Sequence, residues 1–224
     1  MTDDSDSPAP WQLTGHGYVQ ALRCSREFGE QCLRACPEFE GRALGGMGAL
    51  MYIDYASSNV GPYRELLLSP GTFEIGGRRA AAITHIWVSS PASVANGRRN
   101  WGLPKEQAVF ESAYNADGSE TVRVHRDTAP PLSLTFAARG PALPVTTAIL
   151  PRRWRTLEQP WHGQLYRTAI QARGRARIAA LREVSNPAGS GFPDFSEQTR
   201  IVTVAASAFE LVFPVPTIRT LAST

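Results

Sequence analysis

Short apolar runs separated by turn-forming residues recur along this chain at hairpin spacing, and that pattern constrains its fold more than any other feature. Extended segments are expected at residues 49–55, 63–68, 80–89, 105–114, 121–125, 132–137, 165–172, 175–184 and 201–214. Asn115-Ala116-Asp117-Gly118-Ser119 is a hairpin signal between two of them. Helix signals are few. Ser25 as a cap, Phe28, Cys32 and Cys36 four apart, and Pro37 as a stop predict a helix over 25–36; Ser90-Pro91 can begin another over 90–100. Such a chain is mainly β: a closed or half-closed antiparallel β-barrel or cone with one or two short helices, able to hold one small ligand inside. No internal repeat or linker divides it. Residues 11–224 are expected to form a single domain behind a disordered polar tail, residues 1–10.

Composition excludes several functions. A net charge of +3 permits anionic partners but is no electrostatic footprint for nucleic acid. Arg173, Arg175 and Arg177 alternate, yet no interleaved aromatics or nucleic-acid motif accompany them, so they read as a solvated or salt-bridged face. No apolar run approaches membrane-spanning length, and the acidic start of the chain is not a signal peptide. Cys24, Cys32 and Cys36 are odd in number and lack zinc-ligand spacing, which suits reduced thiols in a cytoplasmic protein. His16, His85, His125 and His162 share no metal-ligand spacing, and no metal site is expected. Gly45-Gly46-Met47-Gly48 precedes an apolar strand, whereas a dinucleotide or phosphate loop needs a helix there.

One residue stands apart. The chain holds a single lysine, Lys105, against 22 arginines. A guanidinium stays protonated, whereas an ε-amine can lose its proton and attack a carbonyl. The surrounding segment is Gly97-Arg98-Arg99-Asn100-Trp101-Gly102-Leu103-Pro104-Lys105-Glu106. Pro104 stiffens the backbone, Gly97 and Gly102 permit tight turns, and Trp101 and Leu103 can form an apolar wall. Desolvation and nearby positive charge both favour the neutral, attacking amine. On an extended strand, Glu106 points to the opposite face from Lys105. His85 is close enough in sequence to line the same pocket.

The segment Gly97-Arg98 … Trp101-Gly102-Leu103-Pro104-Lys105 resembles the lysine motif of the acetoacetate decarboxylase family. Gly61-Pro62-Tyr63-Arg64-Glu65 resembles the Gly-x-Tyr-x-Glu strand of the same family, whose glutamate lies in the active site. Ile83-Thr84-His85-Ile86-Trp87-Val88-Ser89 looks like the strand leading into the lysine loop, and Phe209-Glu210-Leu211-Val212-Phe213-Pro214 is similar to a block of decarboxylase-like members. The resemblance runs from about Tyr18 to Pro216 and is specific at the first two blocks.

This resemblance implies a Schiff-base enzyme without metal or organic cofactor, a homo-oligomer acting on a small oxo acid. Lys105 is then the nucleophile and Glu65 the proton-handling carboxyl group. Arg98 or Arg99 steers the substrate carboxylate or favours the neutral amine, and Tyr63, Trp101 and His85 line the substrate pocket. The leading expectation is decarboxylation of a β-keto acid. The alternatives are aldolase or hydro-lyase chemistry on a pyruvate-like 2-oxo acid, and a non-catalytic barrel that binds a small acid. Three departures stand out. Glu106 occupies the place of a second lysine, and a gapless match puts Gly15 and Leu50 where the family carries an arginine and a further glutamate. A larger or different oxo acid than acetoacetate is therefore expected.

Overall fold

The computed structural model describes residues 6–221. The chain begins with two long strands around a helix: β1 (Trp11–Cys24), α1 (Arg26–Leu33) and β2 (Arg42–Ser57). Four shorter strands follow: β3 (Tyr63–Ser69), β4 (Thr72–Ile75), β5 (Arg78–Ala81) and β6 (His85–Val88). Helix α2 (Pro91–Trp101) then leads into β7 (Lys105–Gln107). Next come the hairpin β8 (Val109–Tyr114) and β9 (Glu120–His125), then β10 (Leu132–Ala138) and β11 (Leu143–Thr146). Two 3₁₀ turns, Thr147–Ile149 and Arg152–Trp154, precede β12 (Thr156–Trp161) and β13 (Gln164–Ala169). The long β14 (Gln171–Ser185) and β15 (Thr199–Phe213) and the short β16 (Thr217–Thr220) complete the chain.

All the strands join one branched sheet. Its main path is β16-β13-β12-β5-β4-β2-β1-β15-β14-β10-β9-β8; β3, β6 and β7 branch from β2, and β11 pairs with β14. The two ends do not meet, so the architecture is half-closed rather than a complete barrel. It is also not wholly antiparallel, because β5 pairs with β12, and β6 with β7, in parallel.

Strand alternation sorts the side chains into two cores. From β2 and β3, Leu50, Tyr52, Leu66 and Leu68 enter one core, where Tyr18 stacks on Phe136 with ring centroids 4.3 Å apart. Ile53, Tyr55, Tyr63 and Leu67 enter the other, with Trp11, Trp101 and Leu103. The second core surrounds the cavity described below. The register Tyr55↔Tyr63 and Ile53↔Glu65 puts Tyr63 and Glu65 on this second face, two residues apart.

The N-terminal reading needs correction. Residues 1–5 of the expected tail lie outside the described residues. Ser7, however, is bonded into the fold: its amide donates to Asn96 Oδ1 at 2.9 Å, and its carbonyl accepts from Trp11 Nε1 at 2.9 Å. Strand β1 was not among the expected strands; it carries Gly15 and Gly17, residues that weaken a strand interior. Here they are close-approach positions. A Cβ on Gly15 would lie 2.1 Å from the Asp54 carbonyl oxygen, and one on Gly17 2.3 Å from that of Tyr52.

Candidate active site

Lys105 is held by the packing of α2 beneath β7. Ser90 caps the helix by accepting from the Ser93 amide, and Pro91 occupies the first turn, where a missing N–H costs nothing. Gly102 ends the helix in the left-handed region at φ +63°, which suits glycine. Within two residues the chain is extended again and pairs in parallel with β6, Lys105 opposite Ile86. Ser93 and Gly97, four residues apart on one helix face, both meet the lysine. Ser93 Oγ accepts from Nζ at 3.0 Å. A Cβ at Gly97 would lie 2.5 Å from Lys105 Cδ. Gly97 is therefore not a turn residue; its missing side chain makes room for the lysine stem.

The amine is only 3% exposed as a residue and is paired with Glu65, itself 4% exposed. Nζ donates to Glu65 Oε2 at 2.9 Å and lies 3.5 Å from Tyr63 Oη. Tyr55 Oη donates to the other carboxylate oxygen at 3.2 Å. Burial, and then the charge of Glu65, push both phenols well above the ordinary tyrosine range, so they stay protonated. The Tyr63 and Trp11 rings lie 5.2 and 5.9 Å from Nζ, within reach of a cation–π interaction. Attraction across such a pair, on the order of 5 kcal/mol at an effective dielectric near 20, is matched by several kcal/mol of desolvation for each ion. A pair like this adds little net stability. What it provides is a fixed amine beside a group that can accept its proton.

The pair sits at one side of a cavity of about 390 Å³ with mostly apolar walls. Tyr63 and Trp101 line it, together with Tyr55 and Trp11. Trp101 is fixed by its indole N–H, which donates to the Pro214 carbonyl at 2.8 Å. Arg98 and His85 do not line this cavity. They border a separate one of about 290 Å³, together with Pro104 and Glu106. Arg98 Nε donates to the Lys105 carbonyl at 2.9 Å, so this arginine positions the backbone of the lysine and does not face its amine. Arg99 is turned to Asp6, 3.1 Å away. Burial pushes the His85 imidazole down to about 4, and it is neutral near pH 7. Glu106 points away from Lys105 and accepts from Arg126 at 2.6 Å and from the Trp87 indole at 3.3 Å. The amine thus has a carboxylate, not a second cation, as its charged neighbour. Among the described residues no group of three His, Cys, Asp or Glu side chains could hold a metal ion, and no helix is long and apolar enough to cross a membrane.

The sequence matches the family model described as acetoacetate decarboxylase (ADC) over residues 37–168, more than half of the chain. The chain belongs to the acetoacetate decarboxylase family. Solved structures extend the likeness to nearly its full length. Acetoacetate decarboxylase from Legionella pneumophila superposes with a TM-score of 0.69 at 15% identity, covering 95% of this chain and 88% of that one. An acetoacetate decarboxylase-like enzyme from Sphingomonas wittichii RW1 gives 0.67 at 14%, covering 99% and 98%. The enduracididine biosynthesis enzyme MppR, in its complex with pyruvate, gives 0.62 at 14%, covering 97% and 92%. At these identities the structures establish the fold alone. No curated protein sequence matches the chain significantly.

Leu50, the gapless counterpart of a family glutamate, is buried in the core on the far side of β2. The β2 residues that line the cavity are its neighbours Ala49 and Met51, with Met47, Gly48, Ile53 and Tyr55, and none is acidic. Glu65 is the one carboxylate among the lining residues. Sequence reasoning missed Ser93, Tyr55 and Trp11. The capping pattern around Ser90 could have revealed Ser93, because a helix starting there puts Ser93 and Gly97 on one face. Gly97→Ala tests that packing. Alanine favours an exposed helix by about 1 kcal/mol, yet here its methyl group must displace the lysine stem. Turnover is expected to fall at least tenfold while the helical content measured by circular dichroism is retained. Unchanged turnover would show that the stem adjusts freely.

Proposed function

We propose that this protein is an imine-forming lyase that acts on an oxo acid through Lys105, with decarboxylation of a β-keto acid as its leading reaction. One observation carries the reading: the chain's single lysine is buried beside a buried carboxylate in an apolar cavity. Glu65 takes a proton from the ammonium, and the free amine adds to the substrate ketone. Glu65 returns the proton to the carbinolamine oxygen, which leaves as water and gives the iminium. The bond to the carboxylate breaks, CO₂ departs, and the electron pair neutralises the iminium to an enamine. Protonation of the enamine carbon and hydrolysis release the ketone and restore Lys105. The cleavage step converts a zwitterion into neutral products, a change that apolar surroundings favour over water.

The cavity volume lies in the range that accommodates ligands well beyond the size of acetoacetate. With Glu106 turned away and no second carboxylate in the walls, an oxo acid larger than acetoacetate fits best. A second reading is aldol or hydro-lyase chemistry on a 2-oxo acid, which starts from the same imine. It is supported by the fold shared with MppR, whose structure holds pyruvate. Borohydride treatment in the presence of a panel of oxo acids, followed by mass mapping, is expected to place the adduct on Lys105, and β-keto acids are expected to release CO₂. Adducts with 2-oxo acids and no CO₂ from any β-keto acid would select the second reading. No Lys105 adduct at all would leave only a binding barrel.

A further inference from the structure

We propose that Arg155 selects the substrate by pairing with a carboxylate that stays on the molecule throughout the reaction. This rests on the imine-forming reading above. Three titratable charges line the Lys105 cavity: Lys105, Glu65 and Arg155. Lys105 and Glu65 neutralise each other at 2.9 Å. Arg155 therefore gives the otherwise apolar cavity its net positive charge. It forms none of the ion pairs among the described residues.

Its placement is fixed and its bonding incomplete. Arg155 joins the second 3₁₀ turn to β12. Its carbonyl accepts from the Ile170 amide at 2.9 Å, and its Nη1 donates to the Ile170 carbonyl at 3.3 Å. The guanidinium Nε is buried without a partner. Buried donors in folded proteins are almost always satisfied, and an exception points to a missing group. A guanidinium presents a rigid fork of donors that matches a carboxylate.

Chemistry decides which carboxylate this is. A carboxylate that leaves as CO₂ must give up its charge, and a guanidinium holding it would stabilise the state before cleavage. The partner of Arg155 is consequently a retained carboxylate. Two substrates carry one: a 3-oxo dicarboxylic acid, through its distal carboxylate, and a 2-oxo acid, through the carboxylate beside its ketone.

Matched acid and ester pairs test this. The probes are 3-oxohexanedioate against its distal (C6) methyl ester, and 2-oxobutanoate against methyl 2-oxobutanoate, each trapped on Lys105 with borohydride. The wild-type protein is expected to prefer the acid of one pair by roughly 10- to 100-fold, the range of a charge-assisted hydrogen bond. In Arg155→Leu that ratio should fall to near one. Arg155→Gln keeps a donor for Ile170 and should do the same, which covers the case of a misfolded leucine variant. The pair whose ratio collapses identifies the source of the carboxylate. Ratios near one in the wild type, or unchanged in both variants, would overturn the proposal. Absence of any Lys105 adduct would instead overturn the imine reading. The role of Arg155 is then read from calorimetric binding of hexanedioate and its monomethyl ester, where the same loss of preference in the variants is expected and its absence refutes the proposal.

Discussion

Lys105→Met is expected to abolish both imine formation and turnover, and to destabilise the fold by about 3–5 kcal/mol, the usual consequence of removing one partner of a buried ion pair. Methionine matches the lysine stem and fits beside Gly97, so sterics contribute little. The cost comes from Glu65, left at 4% exposure with only the neutral phenols of Tyr55 and Tyr63 to stabilise its charge. The double variant Lys105→Met/Glu65→Gln separates folding from chemistry. Without either charge, stability should recover most of the loss, since two neutral groups replace a pair that added little. Activity should not recover at all. Urea denaturation and borohydride trapping, run on the same preparations, check both parts. Because no other ε-amine exists in the chain, any adduct that persists in Lys105→Met has to be at the N-terminus. Turnover in the single or double variant would rule out the lysine nucleophile.

Much of this site was legible because it is local. The constraints on Lys105 lie within sixteen residues: Ser90 and Pro91 start α2, Gly102 stops it, and Pro104 sets the exit. Tyr63 and Glu65 are two apart on a strand, so they share a face whatever the register. The hairpin at residues 115–119 was equally local, and the Asn115 amide bonds the Ser119 carbonyl at 2.8 Å. What escaped depends on distant segments. Strand β12 buries Glu158 and Gln159 and reads as polar. It is stable because Gln159 bonds the backbone N–H and C=O of Ile83, 76 residues earlier. Arg155 is held beside the cavity by its two bonds to Ile170, on the far side of the β12–β13 hairpin. Arg98 was expected in the pocket from the resemblance to the family's lysine motif, but α2 carries it to the far side, where it holds the lysine carbonyl. Sequence proximity sets the backbone around a catalytic group; which side chains face it is decided by how the helix docks.

Glu65→Gln separates proton transfer from imine formation. The carboxamide is nearly isosteric and can still accept a hydrogen bond from the amine, but it cannot take the proton. Turnover is expected to fall roughly 10²–10⁴-fold, the usual effect of losing a general acid or base. Trapping of the imine at saturating ketone should fall far less, because imine formation is reversible and water can carry its protons slowly. The phenols cannot replace the lost carboxylate as a base. Burial is the largest cause that raises Tyr55 and Tyr63 above the ordinary tyrosine range, and it remains when the charge of Glu65 is gone. Both stay protonated near neutral pH. The measurement is the ratio of kcat to single-turnover trapping. A large drop in that ratio assigns Glu65 to proton transfer after the imine has formed. Equal losses in both would make it a positioning residue for Lys105, and unchanged turnover would remove it from the mechanism.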